Sequence, residues 1–475
     1  MASGARSDAA PRRPAHPPSA ATRFPGSRPG ANQLLSGSLT RGLLSLAGPM
    51  FASAMLQNAQ SLIDLFWVGR LGSAAVAALA MSGTILMLLF PVVMGMSTGT
   101  VALVARAIGA GRDEEASHAA SHSLFLGLVS GIVMGAVGWY CTPALCHLLG
   151  AEAQVADLAG QYLRVSFIGA FTVFVLFLGN SALQGAGNAV LPMLAMLLAN
   201  VINIVVDPLL IFGWLGCPRM GVRGAAWATV ASQAVAAGLV VFRLARGAGR
   251  IRLGNWWRFE PAVAWRILRI GIPGTGQMLS RSLMAVVLFH IVARCGTAAM
   301  AAYGIGLRFH SIILLPAFAL GNAAATMVGQ NLGAGQPGRA RTAAWLATGM
   351  DMILMGASAL VLAAFAAPFT RVFDSNPVVV ATGAAYLRTV SPSYVFAALG
   401  IVLGRALNGA GDTVPTMIIT VLSLWGLQVP VAVWFARSFA VPTQGIWWAI
   451  ALAMTANGLR TAAWFQTGRW QRARV

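Results

Sequence analysis

Three carboxylates lie well inside long apolar segments of this chain: Asp64, Asp207 and Asp351. At the centre of a bilayer a charged residue costs about 2.5–3.5 kcal/mol on insertion scales, so each needs a physical reason to be there. Asp64 ends a polar stripe. Gln57, Gln60, Ser61 and Asp64 are spaced i, i+3, i+4, i+7, which places them on one face of a helix. A second stripe, Asn200, Asn203 and Asp207, is spaced i, i+3, i+7, and Pro208 follows directly. Proline cannot donate its backbone N–H and clashes with the preceding turn, so a kink or break is expected beside the acid. Carboxylates, amides and freed carbonyls are suitable ligands for Na⁺. A carboxylate withdrawn from water also favours its protonated form, so the same groups suit H⁺. The competing use of such stripes is to glue helices together by interhelical hydrogen bonds. Asp351 has no stripe, and its sequence setting suggests a partner Arg or a place near a helix end.

The elements that must position these residues follow from composition. Of 475 residues, 57% are hydrophobic and 9% charged, with mean hydropathy +0.74. A soluble domain of this size carries about a quarter charged residues, too many for this chain to be one. The apolar segments are long and repeated, which predicts a polytopic helical membrane protein; no short alternating strands suggest an outer-membrane barrel. Twelve segments are expected, at roughly 40–68, 74–100, 118–145, 160–184, 190–214, 222–244, 264–294, 298–326, 342–369, 381–408, 413–437 and 443–466.

The formal net charge is +20, and every basic residue is Arg. The arginines lie mainly in the tails and alternate loops, the positive-inside pattern, which argues against nucleic acid as a partner. The connection after the sixth segment is the most basic, with Arg243, Arg246, Arg250, Arg252, Arg258, Arg266 and Arg269. It is expected to be cytoplasmic. An even number of spans then puts both termini on the same side, in agreement with Arg469, Arg472 and Arg474 and the Arg-rich start. Residues 1–32 lack the apolar core of a signal peptide and read as a disordered cytoplasmic tail. The expected organisation is therefore a tail at 1–32, a six-helix lobe at 40–244, a cytoplasmic linker at 245–263, a second six-helix lobe at 264–466 and a cytoplasmic tail at 467–475. Cys141, Cys146, Cys217 and Cys295 form no CxxC pair and read as small apolar residues near helix ends, Cys146–Cys217 being the pairing open to a disulfide.

The chain is duplicated. Gly72-Ser73-Ala74-Ala75 recurs as Gly296-Thr297-Ala298-Ala299, an offset of 296 − 72 = 224. Gly109-Ala110-Gly111 recurs as Gly333-Ala334-Gly335, Tyr162-Leu163-Arg164 as Tyr386-Leu387-Arg388, and Gly185-Ala186-Gly187 as Gly409-Ala410-Gly411, all at that offset. A repeat of six spans crosses the membrane twice in the same direction, so the halves are related by an axis along the membrane normal, with a substrate site expected between them. The Gly-Ala-Gly pieces lie between apolar helices and read as tight turns and close-packing sites, not as a dinucleotide loop. The halves differ in chemistry. Leu288 and Val431 stand at the positions matching Asp64 and Asp207, and the second half carries Arg281, His290, Arg308 and His310 instead. Arg281, beside Gln277 and Ser280, is a candidate to line a cavity; Arg308 and His310 suggest internal pairing.

These residues resemble a known family. Pro49, Ser61-Leu62-Ile63-Asp64, Val68-Gly69-Arg70-Leu71-Gly72, Leu183-Gln184-Gly185-Ala186-Gly187-Asn188, Asn203 through Asp207-Pro208, and Gly224-Ala225-Ala226-Trp227-Ala228-Thr229 carry the resemblance in the first half. Val328-Gly329-Gln330-Asn331-Leu332-Gly333-Ala334-Gly335 and Leu407-Asn408-Gly409-Ala410-Gly411-Asp412 continue it. Over about residues 40–466 the chain resembles the multidrug and toxic compound extrusion family, within the larger flippase-like exporter superfamily. The resemblance implies two six-helix lobes forming a V, a central cavity, and alternating access coupled to entry of H⁺ or Na⁺. It gives Asp64 the central coupling role, with Asn203, Asp207 and Thr229, and matches Gln57, Gln60 and Asn180 to polar residues lining the cavity. Another branch of the family carries acids in its seventh and tenth helices. Arg281 and Ala397 stand there in this chain, which confines the expected coupling site to the first lobe.

The expected function is thus a secondary antiporter that exports small organic molecules from a multi-pass position in the inner (cytoplasmic) membrane. No cofactor, structural metal or catalytic residue is expected; the lipid bilayer and the small substrates are the partners, and the chain is expected to be a monomer. Two rivals remain at the level of sequence. A flippase of a lipid-linked precursor would suit a basic cavity holding a pyrophosphate, to which Arg281 and Arg308 could contribute. A lipid-modifying membrane enzyme would need a cluster of Asp, His or Cys at the membrane–water interface, and no such cluster is evident.

Overall fold

The computed structural model describes residues 33–150, 152–247, 250–254 and 260–473. The expected N-terminal tail at 1–32, part of the linker and the last two residues lie outside the described residues. Every expected apolar segment is helical. In the first half these are α1 (Leu39–Gly69), α2 (Ser73–Leu86), α3 (Phe90–Gly109), α4 (Asp113–Leu148), α5 (Ala153–Ile168), α6 (Ala170–Gly185), α7 (Val190–Phe212) and α8 (Val222–Ala245). In the second half they are α9 (Pro261–Ala293), α10 (Thr297–Gly333), α11 (Pro337–Ala364), α12 (Pro377–Gly409), α13 (Thr413–Ser438) and α14 (Pro442–Gln466). Among the described residues, ten of these helices are long and apolar enough to cross a membrane, and α5 with α6, bent by 49°, makes an eleventh span. α14 is less apolar, but its 25 residues at about 1.5 Å each are long enough to complete a twelfth.

The duplication is visible in the fold. α10, α11 and α12 start at 297, 337 and 377, each 224 residues after the starts of α2, α4 and α5 (297 − 73, 337 − 113, 377 − 153). The turns repeat as well: φ is +73° at Gly111 and +71° at Gly335, and +87° at Gly187 and +88° at Gly411. These left-handed turns admit glycine readily and other residues with strain. They end α3, α10, α6 and α12 abruptly, as the Gly-Ala-Gly spacing suggests.

The halves meet through small residues. A Cβ added at Gly109 of α3 would lie 1.9 Å from the Gln330 carbonyl oxygen of α10, and one at Gly333 would lie 2.1 Å from the Arg106 carbonyl oxygen of α3. Gly109 and Gly333 are repeat mates, as are Arg106 and Gln330 (330 − 106 = 224). The contact is therefore reciprocal, the signature of two like surfaces related by a two-fold axis. Polar clasps reinforce it. Arg106 Nη1 donates to the Ala410 carbonyl at 2.9 Å, and Gln330 Nε2 donates to the Gly185 carbonyl at 2.9 Å. Cores of Ala, Leu and Val fill the space between helices; one lies within the second half, and two draw side chains from both halves, Leu43, Leu46 and Met50 of α1 packing with α10–α12 and Ile267 and Ile270 of α9 with the first half.

At the same end the linker folds onto the first half. The N-terminus of α4 carries Asp113, Glu114 and Glu115, acids favoured at the positive end of a helix dipole. Arg250 Nη2 pairs with Asp113 at 2.6 Å while its Nη1 donates to the Ile108 carbonyl at 3.0 Å, and Arg266 meets Glu115 at 3.1 Å.

Several local expectations are corrected. α7 runs unbroken through Pro208 to Phe212, so the proline does not end the helix beside Asp207. Two unforeseen breaks appear instead. Residues 87–89 separate α2 from α3, and Gly169 bends α5 against α6, where a Cβ would lie 2.3 Å from Val230 Cγ2 of α8. Asp351 has neither an Arg partner nor a place at a helix end. It is wholly buried within α11, and neither carboxylate oxygen has a hydrogen-bond partner. All four cysteines are free, so Cys146 and Cys217 are not bridged. Arg308 stacks over Phe373 at 5.8 Å and His310 packs on Tyr394 at 5.5 Å with its buried Nδ1 unpartnered; their partners are aromatic rings, and neither lines the cavity.

Candidate functional site

Two polar sites emerge, and they are separate. The first lies inside the first half, where α1 carries Asp64, α7 carries Asn203 and Asp207, and α8 carries Thr229. Asn203 and Asp207 are wholly buried and Asp64 is 8% exposed. Asp64 faces Asn203, Asp207 and Thr229 together. Only Thr229 reaches it in hydrogen-bond geometry, with Oγ1 3.4 Å from Asp64 Oδ2. That hydroxyl also lies 3.0 Å from the Ala225 carbonyl oxygen, and its single proton serves one acceptor at a time. Asp64 Oδ1, both oxygens of Asp207, and both polar atoms of the Asn203 amide are buried without a hydrogen-bond partner.

Buried polar atoms are rarely left unpaired, and of the five at this place four are oxygens, a cluster suited to a small hard cation or to a shared proton. Tyr162 of α5 stands beside Asp64, Asp207 and Thr229 and is 5% exposed. Its ring belongs to an apolar layer with Val68, Ile211, Val222 and Ala225 that closes one side of the pocket.

The stripes separate into two uses. Asn200 donates through Nδ2 to the Leu56 carbonyl of α1 at 3.0 Å and to the Met196 carbonyl at 3.0 Å. It therefore fastens α7 to α1, as interhelical glue. Asn203 and Asp207, one and two turns further on, make no such bond.

The second site is a cavity of about 390 Å³ between the halves. Gln57 of α1 and Asn180, Ser181 and Gln184 of α6 line it from the first half; Met278 of α9, Phe318 and Asn322 of α10, and Arg405 and Asn408 of α12 line it from the second. Met50, Met94, Phe90 and Phe177 supply apolar wall. Gln60 is buried with Nε2 unpartnered and is absent from the wall, as is Asp64. Arg281 lies in a small recess that joins the cavity through Met278, Phe318, Arg405 and Asn408.

Sequence reasoning missed Arg405, Asn408 and Tyr162. Two signals were available. Arg405 interrupts the apolar run from Leu399 to Leu407, as Asp64 interrupts its own. Asn408 lies 224 residues after Gln184, inside the recognised repeat.

The MatE family model matches residues 49–209 and 273–434, two blocks whose starts differ by the repeat offset (273 − 49 = 224). The chain is similar to a probable multidrug resistance protein NorM of Thermotoga maritima, 27% identical over 445 residues, covering 92% of this chain and 94% of the relative. It is similar to an FAD transporter of Shewanella oneidensis, 29% identical over 409 residues, covering 84% and 88%. Among solved structures, an outward-facing multidrug resistance MATE family transporter of the MOP superfamily superposes with a TM-score of 0.85 at 26% identity, covering 94% of this chain and 100% of that one.

Proposed function

The chain belongs to the multidrug and toxic compound extrusion family of membrane transporters, and from that premise we propose that it exports small organic molecules by alternating access, driven by H⁺ or Na⁺ entering at Asp64. Family membership makes it a transporter and sets aside the lipid-modifying enzyme. The observation that carries the coupling reading is the buried, unpartnered cluster of Asp64, Asn203 and Asp207 beside Thr229. Two carboxylates facing each other in a poorly solvated pocket repel, and one proton or one Na⁺ relieves that repulsion. A site with this property biases two conformations when the ion binds them with different affinity. Asn203 and Thr229 complete an oxygen set for Na⁺, and the Thr229 hydroxyl can turn from Ala225 to Asp64 as the charge changes.

The central cavity is the proposed substrate site, with Gln57 and Asn180 presenting amides to the cargo and Gln60 supporting the same face of α1 from behind. Multidrug resistance proteins and an FAD transporter among the relatives support small organic cargo. We take residues 40–244 and 264–466 as the two moving lobes, 245–263 as a cytoplasmic linker, and 1–32 and 467–475 as cytoplasmic tails of a monomer in the inner membrane. The test is reconstitution of the purified protein in vesicles, with export of a dye followed under a proton gradient and, separately, a sodium gradient. Accumulation under at least one gradient, collapsing when that gradient is dissipated, is expected. Equal fluxes with and without both gradients would reject coupling.

A further inference from the structure

Arg281 and Arg405 share one recess of the central cavity without a counter-ion. The recess is walled by Gln277, Arg281, Phe318, Arg405 and Asn408, and it holds no Asp or Glu; the larger cavity holds none either. Among the described residues no salt bridge includes either arginine. Arg281 Nε is buried with no hydrogen-bond partner. Arg405 places its guanidinium 5.5 Å from the Phe318 ring centroid, and its Cγ lies where a Cβ on Gly321 would be 3.0 Å away. Its stem is therefore held against α10 while its charged head faces the cavity. Asp351, the buried acid of this half, has both oxygens unpartnered and so does not neutralise them.

An unpaired charge withdrawn from water is destabilised, and two like charges in one recess add to that penalty. A ligand that brings negative charge offsets both terms. Arginine's planar fork matches the two oxygens of a carboxylate or phosphate.

The repeat sharpens the point. Arg281 and Arg405 stand 224 residues after Gln57 and Ser181 (281 − 57, 405 − 181), and those two mates line the cavity from the first half. The same pair of wall positions is neutral in one half and cationic in the other. Beside the amides and hydroxyls of the wall, Met50, Phe90, Phe177 and Met278 offer apolar and aromatic surface. We infer that the second-half wall of the cavity is an anion site, and that the cargo is an organic anion carrying a carboxylate or phosphate on an apolar or aromatic body.

This rests on the exporter reading, and its test is chosen to fail independently of that reading. The purified full chain, in detergent and without any gradient, is titrated into fluorescein, an aromatic carboxylate. Tetraphenylphosphonium, a cation of comparable bulk, and short-chain phosphatidic acid serve as competitors. Fluorescein is expected to bind and to resist displacement by the cation. Arg405→Ser and Arg281→Gln, which install the residues of the first-half mates, should each weaken it about tenfold or more, the scale of a lost charge-assisted hydrogen bond. Arg405→Lys, which keeps the charge, should weaken it less than Arg405→Ser. If Arg405→Ser fails to fold, Arg281→Gln and Arg405→Lys decide the matter. Displacement by phosphatidic acid would place the anionic group on a lipid, and no displacement would place it on a soluble cargo; dependence on the arginines upholds the anion site in both cases. Unchanged fluorescein affinity in the folded arginine variants, or tighter binding of the cation, would overturn it. Intact anion binding without gradient-driven export would reject the exporter reading alone.

Discussion

At the scale of single residues, the two polar stripes illustrate how the same residue types serve different ends. Asn200 donates its amide Nδ2 to backbone carbonyls of α1 and α7, whereas the Asn203 amide and the Asp207 carboxylate have no hydrogen-bond partner. Asn200→Ala should therefore destabilise the protein by about 1 kcal/mol, read as a lower thermal midpoint in detergent, while leaving ion-driven export near normal. Thr229→Ala should do the reverse: a small change in thermal midpoint, with a clear loss of export at limiting gradient. Asp207→Asn is expected to impair export less than loss of Asp64, because one carboxylate remains. Equal losses of export in the Asn200 and Thr229 variants would dissolve the distinction. The acids were visible in the sequence because a charge inside an apolar run is costly. Which amide was glue and which was site was not visible, since Asn200 and Asn203 occupy the same helical face. Arg405 was as conspicuous as Arg281 by that criterion. Its role emerged only when α12 was packed against α9 to form the recess.

At the scale of elements, glycine sets how closely helices approach. Gly109 and Gly333 press on the Gln330 and Arg106 carbonyls of the opposite half, and the contact is reciprocal. Gly109→Ala and Gly333→Ala should each loosen the clasp between α3 and α10, costing about 1–3 kcal/mol of stability as overpacking. Thermal unfolding in detergent should show similar losses for the two, because the repeat makes them equivalent. A large loss in one with none in the other would contradict that equivalence. The Gly-Ala-Gly turns and their spacing were readable as sequence. The bend at Gly169 and the break at 87–89 were not, because both fall inside runs that stay apolar throughout and hydrophobic periodicity does not register a change of axis. Pro208 misled for a related reason. A proline removes one backbone donor and leaves the carbonyl four residues back, that of Ile204, without its helical partner, yet the last turn of α7 stays in place, its Leu210 and Ile211 carbonyls accepting from Met220 and Gly221.

At the scale of the whole molecule, one duplication event and the later divergence of its two halves account for most of the architecture. The scaffold kept its starts, turns and interface; the chemistry split, with the paired carboxylates Asp64 and Asp207 inside the first half and arginines on the second-half wall of the cavity. The proposed orientation puts the linker in the cytoplasm. In a cysteine-free background, Arg252→Cys should resist a membrane-impermeant maleimide added to intact cells. Leu215→Cys, 92% exposed in the loop between α7 and α8, should react readily. The opposite pattern would invert the topology. In the proposed mechanism the carboxylate cluster of the first half, and nothing in the cavity itself, couples the ion to export. Its most direct test is Asp64→Asn in sealed vesicles, a substitution that keeps the size of the side chain and removes its titration. The variant should fold and still bind substrate but fail to accumulate it against a gradient under any imposed H⁺ or Na⁺ gradient; uphill export at the wild-type rate would rule out coupling through Asp64.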